Sequence, residues 1–231
     1  MERANVLEAN RLLALLPSAE LEMMLPHVSI APLAAGAALS DDVYFVLSGL
    51  VSMFVPTAEG QVLHTGLVGR DGAVGLTGLG HSIRSSRTAV LAPGTAAKIS
   101  RSNFHDAWSR SAALRELQVR YSELMLCCAQ QTAACNAVHS SDQRLCTWLL
   151  RAHDQMPGER LPFTQQLLAD MIGVRRSTVT FFAHELQNEG ILRYARGHIN
   201  VATGRSWSTR LASATALHGA TRTAPFSTAE V

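Results

Sequence analysis

The chain has 231 residues, 47% of them apolar and 16% charged, which suits one large or two small folded cores and excludes a disordered polymer. No apolar run approaches the roughly 20 residues of a membrane helix, and the opening MERANVLEANRLL has acidic residues where a secretion signal needs basic ones, so a cytoplasmic protein is expected. A net charge of +2 is too small to announce a polyanionic partner, and nineteen Arg against one Lys, though it suits phosphate and guanine recognition, is better explained by a biased genomic base composition.

Residues 5–25 carry Leu12, Leu15, Leu16, Leu21, Met24 and Leu25 at helical spacing, broken at Pro17-Ser18 into two short helices. From 28 to 100 short β-prone runs (43–47, 50–55, 61–68) alternate with glycine turns, the pattern of an antiparallel sandwich or small barrel. Between Gly36 and Val43 the connection is short for a strand–turn–strand. Residues 103–137 lack Pro and Gly and predict one long helix. On it Leu114, Leu117, Tyr121, Leu124, Cys128, Gln131 and Cys135 recur at three- and four-residue intervals. Such a seam fits a two-stranded coiled coil between subunits, the alternative being a helix laid on its own β-core. A further helix runs from about Asp142 to Gln155, with Ser140 or Ser141 as its cap. Four cysteines (Cys127, Cys128, Cys135, Cys146) fall within twenty residues, which argues for a reduced compartment and leaves a thiol switch at Cys128 or Cys135 open. After Thr203 the chain is rich in Ala, Ser and Thr without periodicity and reads as a flexible tail, 204–231.

The stretch 165–184, QQLLADMIGVRRSTVTFFAH, meets the demands of two short helices crossing steeply. Ala169 is small enough for the crossing, and Gly173 suits a left-handed turn. Leu168, Ile172, Val174, Val179 and Phe182 supply the shared core, and Thr164 is a good N-cap. A second helix over 175–188 would then offer Arg175, Arg176, Ser177, Thr178 and Thr180 to the major groove of DNA, where Arg pairs with guanine and Ser or Thr reaches bases or phosphates. A hairpin over 193–201, with Arg196 and His198 at its tip, forms a wing beside them, and Thr164 and Gln165 stand at the entry of the first helix.

These segments together resemble the CRP/FNR superfamily of bacterial transcription regulators. The resemblance covers about residues 8–203. It is most specific at SSDQRLCTWLL (140–150) and at 161–201, with weaker marks at Tyr44-Phe45, Ser48-Gly49, Val51-Ser52 and GRDGAVGL (69–76). It implies an α+β chain with a jelly-roll, cyclic-nucleotide-binding-like domain over 1–110, a dimerisation helix over 111–138 and a winged helix-turn-helix over 139–203. It also implies a homodimer on a pseudo-palindromic operator, with RNA polymerase as a further partner. The family's effector loop maps to Gly72 and Gly75, followed by Leu76, and its phosphate-binding segment to Arg87 and Thr88. The family's ribose-binding Glu is replaced by Leu76, which accepts no hydrogen bond, so no cyclic-AMP response is expected. Arg87 could still contact a small anionic effector or be an ordinary surface residue. The family's oxygen-sensing branch holds its iron–sulfur cluster with cysteines that include the N-terminal region, whereas none here precedes Cys127, and His64, His81 and His105 show no ligand spacing, so neither cofactor nor metal is expected. No P-loop, HExxH, GxSxG or paired CxxC motif occurs, which argues against an enzyme. The competing reading is a ligand-binding regulatory module without DNA binding.

Overall fold

The run Val43–Pro56 sustains one long strand, β2, because Val43, Phe45 and Leu47 alternate with Tyr44 and Val46 and both sets are covered. In the computed structural model, which describes residues 6–58, 62–77, 87–156, 160–195 and 198–201, β2 shares a five-stranded sheet. Its other members are β1 (Val28–Leu33), β3 (Val62–Val68), β4 (Ala73–Val74) and β5 (Arg87–Ile99). The order is β1-β5-β2-β3, with β4 paired to β2 through Tyr44–Val74 and Phe45–Ala73. β1 and β5 run antiparallel from Val28 opposite Ile99 to Leu33 opposite Gly94. The short 34–42 connection stays attached to the sheet: Gly36 N–H donates to the Val90 carbonyl (2.8 Å) and Val90 N–H to that of Ala37 (2.9 Å). Helices and an antiparallel roll in one chain give the expected α+β class. The expected tail, 204–231, and His81 lie outside the described residues.

The described residues divide into two units, 6–52 with 68–127 and 53–67 with 128–201. In the first, α1 (Ser18–Met24), α2 (Arg101–Arg110) and the front of α3 (Ala112–Val138) cover one face of the sheet. Leu12, Leu13, Met24, Phe45, Leu76, Ile99 and Phe104 are buried together, with the Phe45 and Phe104 rings 6.1 Å apart. Each such side chain contributes about 1.5–3 kcal/mol of burial free energy. α3 starts where Ser111 accepts the Leu114 N–H (3.0 Å), a hydroxyl N-cap.

The heptad residues of α3 fall differently from a seam between subunits. Leu114, Leu117 and Tyr121 are buried in the core of their own unit, and Leu124 packs on its edge. The same three–four spacing serves a helix laid on a sheet as well as one laid on a second helix, and here the sheet takes that face. In the other unit Cys135 is buried, while Cys128 and Gln131 are half-buried. Cys128, Thr132 and Cys135 lie on one face of α3, and Arg151 of α4 (Ser141–Gln155) donates to the Thr132 hydroxyl (3.0 Å) while stacking on Trp148. α4 begins where Ser140 N–H donates to Gln143 Oε1 (3.1 Å), one arm of a capping box.

The loop 69–74 is tied down from two sides. Asn10, fully buried, donates to the carbonyls of Val46 (2.8 Å) and Gly72 (2.9 Å), and its own carbonyl accepts the N–H groups of Leu12 and Leu13. From α3 the Tyr121 hydroxyl donates to the Ala73 carbonyl (2.8 Å) and accepts the Ala73 N–H (3.1 Å). Replacing Tyr121 by Phe keeps the ring but leaves two buried backbone groups unpaired, at about 1–3 kcal/mol each. Hydrogen–deuterium exchange of residues 68–76 in Tyr121→Phe is expected to accelerate at least tenfold, with the rest of the N-terminal unit changed far less.

Candidate nucleic-acid interface

α5 (Gln165–Ile172) opens at Thr164, whose extended backbone and hydroxyl make it the N-cap: its Oγ1 accepts the Leu167 N–H at 3.1 Å. The helix ends at Gly173 in the left-handed region (φ 67°, ψ 42°), where Val174 N–H returns to the Ala169 carbonyl (3.0 Å). That conformation costs an L-residue roughly 1–2 kcal/mol and a glycine nothing. The turn launches α6 (Arg176–Asn188) across α5. Leu168, Ala169, Ile172 and Val179 are buried at the crossing, with Val174 and Phe182 half-buried beside them. All seven positions expected of the motif therefore contribute to its turn or core.

α6 begins one residue later than the sequence suggested, because Arg175 has extended backbone (φ −73°, ψ 146°) and serves as the N-cap position. Arg175, Arg176, Ser177 and Thr180 are exposed, and Thr178 is half-buried. Gln165 and Thr180, fifteen residues apart, meet: the Thr180 hydroxyl donates to Gln165 Oε1 (2.8 Å), its alternative acceptor being the Arg176 carbonyl (3.1 Å). This bond couples the entry of α5 to the exposed start of α6. The α6 N-terminus also carries the positive end of the helix dipole, which favours a phosphate nearby.

The hairpin β6 (Leu192–Ala195) and β7 (His198–Val201) follows, and residue 161 pairs with Ile199 by two reciprocal backbone bonds of 2.9 Å. Tyr194 secures the hairpin, donating from its hydroxyl to the Phe163 carbonyl (2.8 Å), and burial pushes its phenol pKa up so that it stays a donor. His198 is exposed at the start of β7, and Arg196 lies outside the described residues. One residue on the outer face was not singled out from sequence. Phe181 is 60% exposed on α6, one turn beyond Ser177. A Phe-Phe pair reads as core, and only the register of the helix shows that one ring points outward.

The effector-loop positions belong to the other unit. Leu76 is fully buried in the hydrophobic core and Gly75 has φ 82°, with the Asp42 carbonyl so near that a side chain would collide. A Cβ on Gly72 would come within 3.0 Å of the Tyr121 hydroxyl. Arg87 is exposed at the start of β5, and the Thr88 hydroxyl accepts the Leu39 N–H (3.4 Å). Among the described residues no group of three His, Cys, Asp or Glu side chains could hold a metal ion, and no helix is long and apolar enough to cross a membrane.

Residues 143–202 match the Crp-like helix-turn-helix domain. The chain thus carries a Crp-like helix-turn-helix domain over those residues. Solved structures share the fold along most of the chain. A putative regulator of the CRP/FNR family from Eubacterium rectale is 16% identical, with a TM-score of 0.66 over 84% of this chain and 94% of that one. FixK2 from Bradyrhizobium japonicum is 15% identical, with a TM-score of 0.67 over 79% and 96%. The CRP/FNR-family regulator TTHA1359 from Thermus thermophilus is 21% identical, with a TM-score of 0.64 over 79% and 97%. No curated protein matches the chain significantly.

Substituting Gly173 by Val places a β-branched residue in left-handed backbone and is expected to cost roughly 2 kcal/mol or more. Chemical denaturation of Gly173→Val against the parent checks it.

Proposed function

We propose that the chain acts in the cytoplasm as a homodimer that places two copies of α6 in successive major grooves of a pseudo-palindromic operator and contacts RNA polymerase there. The observation that carries this reading is the exposure of Arg175, Arg176, Ser177 and Thr180 at the start of α6, on a helix pair whose turn and cap are fixed. Thr164, Gln165 and Thr178 belong to the same contact surface, and Arg196 and His198 of the wing would lie along the flanking backbone. A guanidinium supplies paired donors that match guanine O6 and N7, and the hydroxyls reach phosphates or bases. Two-fold pairing would space the half-sites about 34 Å apart.

The subunit contact we assign to α3 uses its outward face. Val119 is 52% and Leu126 60% exposed, and with exposed Ala112 and Ala133 they recur every seven residues opposite the buried Leu114–Leu117–Tyr121 face. An apolar stripe of that period suits a second copy of the same helix. The effector loop, with Leu76 turned into the core, supports a regulator without a cyclic-nucleotide response, either ligand-free or sensing a small anion through Arg87.

Arg176→Ala should weaken binding to the regulator's own upstream region by about 1–3 kcal/mol, roughly a 5- to 150-fold rise in Kd. A gel shift or fluorescence-anisotropy titration in fixed salt measures it. Unchanged affinity would remove the assignment of α6 as the reading helix.

A further inference from the structure

We infer that Phe181 is a base-reading residue that selects thymine through its 5-methyl group. The inference rests on the DNA-binding reading above and adds a specificity determinant to it.

Phe181 lies on the surface of α6 that carries the polar reading residues. The opposite side of the helix is the buried one, formed by Val179, Ala183 and Leu186. Ser177 and Phe181 are four residues apart and therefore stack one above the other, and exposed Thr180 and His184 flank the ring on the same surface. The ring leaves 60% of its residue's surface in water, although every nearby exposed position on the helix is polar or charged. It is also held. The Phe182 ring, half-buried beneath it, meets Phe181 edge-on with centroids 5.7 Å apart and planes at 64°. Edge-to-face pairing of this kind restricts where the outer ring can point.

A phenyl group has no hydrogen bond to offer, so it can distinguish base pairs only by apolar contact. In the major groove guanine presents two acceptors, cytosine an amino donor and adenine a donor with an acceptor. Thymine alone adds a methyl group. A ring set against cytosine would strip water from an amino donor without replacing its bond, whereas against thymine it covers a methyl that water solvates poorly. The outer face of α6 thus carries two chemistries: guanidinium groups at its start for guanine and an aromatic ring one turn on for thymine.

The test selects binding sites for the full-length protein from a random duplex library, then replaces each thymine of the selected site in turn by deoxyuridine, which removes the methyl alone. One such replacement per half-site is expected to raise Kd about fourfold, the equivalent of one buried methylene. Phe181→Ala, whose exposed position leaves the α6 core intact, should neither select thymine at that base pair nor respond to its replacement, while melting at the parent temperature. If every thymine tolerates replacement within experimental error, or if Phe181→Ala is penalised at the same base pair as the parent, the inference is wrong. If no duplex is enriched at all, the failure lies instead with the DNA-binding reading.

Discussion

One hydroxyl sets the rotation of the long helix. The Tyr121 Oη both donates to and accepts from the backbone of Ala73, so it satisfies two buried polar groups that would each cost about 1–3 kcal/mol unpaired. A single side chain with that double role tolerates little rotation of α3 about its axis. With Tyr121 pointing at the loop, Leu114 and Leu117 must face the sheet, and Val119 and Leu126 must face away from it. The same contact explains the glycine at 72, since a Cβ there would press on the hydroxyl. Asn10 completes the arrangement from the other side of the loop through the carbonyls of Val46 and Gly72.

The reading head is governed by a comparable economy of fixed points. Gly173 supplies the turn, Thr164 the cap, and the Thr180–Gln165 bond ties the exposed start of α6 back to α5. Rigid placement matters because a bidentate contact from Arg to guanine tolerates small displacements only. The Arg175 and Arg176 side chains that would touch DNA are long and exposed, so their precision must come from the backbone that carries them. Among the described residues the apolar contribution to that surface is Phe181, and it alone is fixed by ring packing instead of hydrogen bonding.

What was legible in the sequence follows the range of the interactions. The helix-turn-helix was readable because its determinants are local: a glycine, a cap and apolar residues at set offsets within twenty positions. The roll was readable as a class from its glycine-punctuated β-runs. The face of α3 was not readable, because heptad spacing records only that one side of a helix is covered and says nothing of whether the cover is a sheet or a second subunit. Tyr121 looked like a seam residue for that reason, and its actual partner, Ala73, lies 48 residues away in sequence. Phe181 was missed because adjacent aromatics are most often core and the deciding fact is a difference of 100° around a helix axis. Leu76 accepts no hydrogen bond, and its burial supplies the physical reason the position is leucine: it belongs to the core.

That loop also bears on regulation. In a roll built to sense an anion, backbone N–H groups are left pointing at the ligand, whereas here the Ala73 N–H is already engaged by Tyr121 and the Gly72 carbonyl by Asn10. A ligand that used this loop would first have to displace the tyrosine. Breaking both Ala73 bonds at about 1–2 kcal/mol apiece would weaken apparent binding roughly 30- to 1,000-fold relative to an open loop. An effector could overcome that only by replacing both bonds, with a donor and an acceptor of its own at the same point. Such a ligand would release the side chain that fixes the rotation of α3, and would thereby act on the helix whose outer face is the proposed subunit contact.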